Sequence, residues 1–446
     1  MLPSQEARQK FLPLCLHGDA GAFQKNDSIH VISMRSLLSR QNVATAQLLL
    51  LALPKGAISK CPGDPSSSTM HHVWSVIKWS FEAAYFNKFP ETDHMGKAWP
   101  QYSWRSKMAG QPLNSDGHSA LLFAIQGDAE YLQNEYGLTL ASHESMCFHC
   151  GANRTDCPFN DFRPGALWRG TMVSHAGTCP TEHMVSGIPG VTGDTFKFDI
   201  LHTLEEGLTA HCLANCAFDW VLRSDWPGTQ DVRLRDLFGK ISKHYNELGI
   251  DSENRIRRFP LSAFCNVKAK WDNFPSLSGI KAKQCRWLVP VFLEICEEFK
   301  DAGSYSKHKF QCLKHLNNVY DIMDRAGLHP STTDAKAFKK SLDNCLLHYS
   351  RLSVISMNSG VLMWNTVPKM HWAQHLGLLF RWLNPKFYSC YQGETMVGHM
   401  SALGHACLNG TAAHQVPLKV CWRFRLAFHL RNQGSDFAFA ASDSDA

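Results

Sequence analysis

The apolar pattern changes character part-way along the chain, and that change limits the folds open to it. Up to about residue 140, short apolar runs alternate with one longer amphipathic stretch. Phe11–His17, closed by Gly18-Asp19, and Ile29–Met34 read as strands. Leu48–Leu53, stopped by Pro54 and Gly56, reads as a central buried strand because it is apolar throughout, with a buried helix end as the alternative. His71–Phe89 has helical spacing and runs up to Pro90. Ser119–Gln126 is a fourth strand, Ala129–Tyr136 a short helix and Leu138–Ser142 a fifth strand candidate. From about residue 200 the strands stop. Leu201–Leu222, Val232–Leu248, Cys285–Phe299, Lys307–Asp324 and Ala335–Ser350 all have helical length and amphipathic spacing. The expectation is an α/β layer interrupted by a helical insertion of roughly 200 residues, although 446 residues alone would suggest about three domains.

Composition excludes several classes. With 44% hydrophobic and only 19% charged residues, the chain can bury a sizeable core and is not disordered as a whole. The longest aliphatic run is far short of the roughly 18 residues that a membrane helix needs, so no membrane association is expected. The N-terminus lacks the order of a signal peptide, which points to an intracellular location. There the 16 cysteines read as buried thiols and metal ligands rather than disulfides. The net charge of +6 permits a nucleic-acid partner without requiring one. The tail 436–446, rich in Ala, Ser and Asp, reads as disordered.

Three constellations could carry chemistry. Cys147-Phe-His-Cys150 supplies two of the four ligands of a structural zinc. His371 and His375, four apart on one helical face, could supply the others. Cys157, His175, Cys179 and His183 are nearer alternatives, and buried free thiols are the plain one. Asp19 and Asp128 each follow a glycine at the end of a strand candidate, where neighbouring carboxylates can hold Mg²⁺. Glu394, opening a helix over Thr395–Leu408, is the third carboxylate, and turn or helix-start acids are the alternative for each. The third set is basic with interleaved aromatics. Arg255, Arg257, Arg258, Lys268, Lys270, Lys281, Lys283 and Arg286 surround Phe259, Phe264, Trp271 and Phe274, so cations for phosphates stand beside rings for bases. Lys419, Arg423, Arg425 and Arg431 form a smaller cluster.

In the order Asp19, Asp128, Cys147/Cys150, His371/His375, Glu394, the first two sets together resemble DDE transposases of the CACTA and Plavaka type. They are also similar to the catalytic core of the antigen-receptor recombinase. The resemblance implies an α/β, RNase H-like core interrupted by a large α-helical insertion. It divides the chain into 1–145 (first part of the core), 146–370 (zinc-braced insertion), 371–435 (the rest of the core, with the catalytic-Glu helix) and the 436–446 tail. It implies Asp19, Asp128 and Glu394 as catalytic metal ligands for Mg²⁺ or Mn²⁺, and Cys147, Cys150, His371 and His375 as ligands of a structural Zn²⁺. The implied activity is two-metal DNA cleavage and strand transfer in the nucleus, with DNA as partner and a homo-oligomer as an open state. Asp199, in Asp199-Ile-Leu-His202, competes with Asp128 for the second acid position. The first core strand starts about ten residues from Met1, so an upstream DNA-binding module is expected to be missing and the activity decayed or specialised. Gly393 and Thr395 flank Glu394 where related sequences are more acidic. A silent nucleic-acid-binding scaffold and a helical interaction protein are the rival functions. No G-x-S-x-G supports a serine hydrolase.

Overall fold

The computed structural model describes residues 10–139, 141–172, 183–223, 226–265 and 273–442. Its main elements in chain order begin with β1 (Phe11–Gln24), β2 (Asp27–Ser36), β3 (Leu48–Pro54), α1 (Thr69–Phe86), β4 (Ser119–Gln126) and α2 (Ala129–Tyr136). Helices α3 (Ala210–Phe218), α4 (Gln230–Glu247), α5 (Ala282–Glu298), α6 (Ser304–Arg325) and α7 (Thr332–Asn358) follow. The last three are α8 (Pro368–Leu379), α9 (Tyr391–Leu408) and α10 (Val416–Ser442). The fold is mixed α/β and divides into two compact units. Unit 1 comprises 1–138, 173–197 and 390–446, and unit 2 comprises 139–172 and 198–389.

Unit 1 is built on a four-stranded sheet ordered β3-β2-β1-β4. β1 and β2 form an antiparallel hairpin, β2 and β3 are antiparallel, and β4 lies parallel to β1. The parallel β1/β4 pair needs a long crossover, and the segment carrying α1 supplies it. A core of Phe23, Ile29, Val31 and Ala52 from the sheet packs against Met396, Val397 and Met400 of α9 and Val416 and Val420 of α10. α9 lies very close to β1. A Cβ on Gly21 would stand 2.2 Å from the Ser401 hydroxyl, and one on Gly393 would stand 2.2 Å from Cγ of His17. Because Gly393 meets His17, Ser401 meets Gly21 and Gly404 meets Phe23, helix and strand run in the same direction.

Several expectations are corrected here. β1 does not end at Gly18-Asp19 but continues to Gln24, because its pairing with β2 persists through the glycine-rich stretch. β3 is an edge strand rather than a central one, and its leucines are exposed or only partly buried while Ala52 reaches the core. Among the described residues, Leu138–Ser142 holds no strand. The chain instead returns beside β4 through a parallel bridge between Ile125 and Phe196. Residues 371–389, expected in the core, belong to unit 2. α10 is helical through Ser442, where a disordered tail was expected from 436.

Unit 2 is helical, as the spacing predicted. Leu313, Leu316, Val319 and Tyr320 of α6 face Phe338, Leu342, Leu346 and Tyr349 of α7, with α5 contributing Leu288, Phe292 and Ile295. The stretch expected as one helix over Leu201–Leu222 is π-helical at both ends, Leu201–Thr209 and Asp219–Arg223, around α3. It is buried on nearly every side, as suits a segment with apolar residues all round.

Candidate functional site

Four side chains converge inside unit 2. Cys147 and Cys150 come from a turn-rich loop, and His371 and His375 from one face of α8, whose first turn is preset by Pro368. Cys147 Sγ lies 3.3 Å from His375 Nε2, Cys150 Sγ 3.2 Å from His371 Nε2 and 3.5 Å from His375 Nε2, and the two Nε2 atoms are 3.2 Å apart. Zinc bonds of 2.3 Å to sulfur and 2.0–2.1 Å to nitrogen would give tetrahedral edges of roughly 3.3–3.8 Å, so the donor set fits Zn²⁺. All four residues are buried, with exposures of 3%, 4%, 0% and 1%. The hydrogen bond from Cys147, joined by those from His371 and His375, draws the Cys150 thiol down to about 2, while burial pushes Cys147 up and His375 down. A metal ion needs both cysteines as thiolates, so binding one here would release the proton that burial holds on Cys147. Trp372 Nε1 donates to Met146 O at 3.0 Å and ties α8 to the cysteine loop. Trp168 and Phe198 enclose the imidazoles. Of the nearer alternatives, Cys157 is not part of this group, and His183 lies in unit 1. His175 and Cys179 lie outside the described residues.

Unit 1 brings Asp19, Asp128 and Glu394 into electrostatic contact. Burial first, then the charges of Glu394 and Asp128, push the Asp19 carboxyl up to about 6. Asp19 is thus the central member, on the inner strand β1, with Asp128 at the start of α2 and Glu394 in the first turn of α9. The three are not drawn together as tightly as the Cys/His group, whose ligand atoms all lie within 4.8 Å of one another. A two-metal site has ions ≈ 3.5–4 Å apart and does not need its outer carboxylates that close. Asp128 also serves the fold, since its Oδ1 accepts from Tyr131 N at 2.6 Å and caps α2. The helix-start alternative therefore holds for one of its oxygens. Asp19 and Asp128 line a cleft of about 780 Å³ that also presents Lys55, Lys60 and His71. The rival acid, Asp199, is in unit 2, where Oδ1 accepts from Leu201 N and Oδ2 pairs with His202 Nδ1, both at 2.8 Å.

No family model matches the sequence, and no curated protein matches it.

The basic segment divides into two. Arg255 spends its guanidinium on Ile250 O, Asn246 Oδ1 and Tyr245 O, which holds a loop to α4. Arg286 pairs with Asp324, and Lys283 Nζ lies 2.9 Å from Glu253. Phe259 and Phe264 are core residues, so they are not stacking platforms. Arg257, Arg258 and Lys281 are exposed, and Lys268 and Lys270 lie outside the described residues. His17, whose Nε2 lies 3.4 Å from Glu394 Oε1, is a buried neighbour of the acids that sequence reasoning did not single out. Its signal was its place two residues before Asp19, on the same face of a strand.

Proposed function

We propose that the chain is a transposase-like polynucleotidyl transferase with an RNase H-like core in unit 1 and a zinc-braced helical insertion in unit 2. One observation carries the reading. Asp19, on the inner strand β1, lies near enough to Asp128 and Glu394, from distant parts of the sequence, that burial and the charges of both raise its pKa. A carboxyl perturbed by burial and by charged neighbours at a cleft is a functional-site candidate. The sheet order β3-β2-β1-β4, with β4 parallel to β1, supports the reading without deciding the core's family.

Asp19, Asp128 and Glu394 would hold divalent cations, and their oxygen donors fit Mg²⁺ or Mn²⁺. When bound, such ions activate a water or 3′-hydroxyl and stabilise the leaving oxygen of an in-line displacement. The chain's own part is positioning. β1 fixes Asp19, the cap bond to Tyr131 fixes one edge of Asp128, and the Gly393 contact sets Glu394 beside β1. Lys55 and Lys60 at the cleft are placed to neutralise phosphates of a DNA strand. Cys147, Cys150, His371 and His375 would hold a structural Zn²⁺ that joins the first and last segments of unit 2.

The test is nicking of supercoiled DNA with Mg²⁺ or Mn²⁺. The reading expects activity in the full chain and its loss in Asp19→Asn, and it fails if Asp19→Asn nicks as well as the parent. The cap bond at Asp128 favours a second reading, a silent DNA-binding scaffold, because it commits an oxygen that catalysis would use. Salt-dependent DNA binding without metal-dependent nicking would select that reading.

A further inference from the structure

We infer that two copies of this chain associate through the outer ridge of α10, formed by Leu418, Trp422, Leu426 and Leu430; this is independent of the reading of the acids. Every even-numbered residue from Val416 to Leu430 is apolar. On a helix these residues fall into two ridges of four-residue spacing, and a step of two residues turns roughly 200°. The ridges therefore stand on nearly opposite faces, and one contact with the rest of unit 1 cannot cover both. Val416 and Val420 sit in the core of unit 1, with Phe424 packed against it. The four outer residues are between 59% and 64% exposed. A helix that is apolar on two faces is one that buries two faces.

Area, shape and charge together favour a second copy as the cover. That exposure leaves roughly 100 Å² on each leucine and roughly 150 Å² on the tryptophan, hence about 450 Å² on one copy and about 900 Å² over two. The aliphatic stems beside the ridge carry this past the roughly 1,000 Å² that a specific interface needs. A ridge of four-residue spacing packs into the groove beside the same ridge of another helix, at a crossing of about −50°. It is thus complementary to itself, as a two-fold contact requires. Lys419 and Arg423, which flank the ridge, are turned back onto unit 1. Lys419 Nζ donates to Thr411 Oγ1 at 2.6 Å, and Arg423 Nη1 to Ala406 O at 3.5 Å. The ridge is therefore a bare apolar surface rather than one that offers cations to an anionic partner. Arg425 and Arg431 stay exposed, and their repulsion between copies is relieved by salt.

Sedimentation equilibrium of the full chain is the test. The inference expects a particle of twice the chain mass at micromolar concentration, favoured by added salt. Trp422→Glu and Leu426→Glu should each raise the dissociation constant at least about thirtyfold, the factor that a central interface residue is worth. Met357→Glu, at an exposed apolar site on α7, should leave it unchanged. Mixing Leu426→Glu with Leu426→Lys should restore the dimer, which misfolded variants would not do. Hydrogen exchange over residues 416–433 of the parent, slower at high than at low protein concentration, locates the contact without any substitution. A parent that stays monomeric, or a dimer that survives both glutamate variants, overturns the inference. So does Trp422-dependent binding of a monomeric parent to phosphatidylserine vesicles, which would give the ridge to a bilayer surface.

Discussion

Nε2 of His371 lies 3.2 Å from Sγ of Cys150 across 221 residues of chain. Contacts at that separation close a large loop, which costs entropy that few local bonds can offset. A metal ion can offset it, so the purified chain should contain one zinc per molecule by elemental analysis. His371→Ala or Cys150→Ser should release that zinc and destabilise unit 2 by about 4 kcal/mol or more, the range reached on losing a structural metal. A parent protein free of zinc would refute this.

Asp19 gives a pH signature. Its folded value of about 6 lies above the ordinary 3.8, so the folded state binds the proton more tightly than the unfolded state does. Stability from this group is full below about pH 4 and declines as pH rises through 6. Asp19→Asn should therefore be more stable than the parent at pH 8 without divalent cations, by up to about 3 kcal/mol, with the gain vanishing near pH 4. Urea unfolding at the two pH values measures it. Equal stability at pH 8 would mean that the carboxylate is not held under this strain.

Two glycines of α9 should respond in opposite ways. Gly398 has open space around it, so Gly398→Ala should stabilise by about 0.5–1 kcal/mol through helix propensity. Gly393→Ala must move His17 or the helix and should destabilise by about 1–3 kcal/mol while weakening Mn²⁺ binding. Thermal unfolding of the pair, with Mn²⁺ titration, distinguishes them.

The basic segment should divide as its side chains are engaged. Replacing exposed Arg257 and Arg258 by Ala should lower the salt slope of DNA binding by about one for each phosphate no longer neutralised and leave the fold intact. Arg255→Ala should instead destabilise unit 2, because its guanidinium serves two backbone carbonyls and Asn246. A salt slope unchanged in the double variant would remove this surface from DNA binding.

The Cys147, Cys150, His371 and His375 grouping was legible because Cys-x-x-Cys and His four apart on a helix are local patterns with a chemical purpose. Strand β1 was legible only to His17, since the period-2 signal fades at Gly18, Gly21 and the partly exposed Asp19 while the hairpin ladder continues. The rank of β3 in the sheet was misread because an apolar run reports burial of side chains and not which neighbours pair with the backbone. Arg255 and Arg286 looked like members of a phosphate-binding segment because charge is visible in sequence and the acceptors it meets are not. His17 stayed hidden for the same reason. Its place two residues before Asp19 becomes a signal only once β1 is known to run past Gly18, with Glu394 folded beside it.

Each of the three acids follows a glycine, and a neighbouring ring fills the space its side chain would take. Tyr131 crowds the Cβ positions of Gly18 and Gly127, and His17 crowds that of Gly393. In a library of all single substitutions, these silent residues should rank with Asp19, Asp128 and Glu394 among the least replaceable positions of unit 1. Chemically inert atoms, or the lack of them, would then trace the outline of the centre as sharply as the groups that act in it.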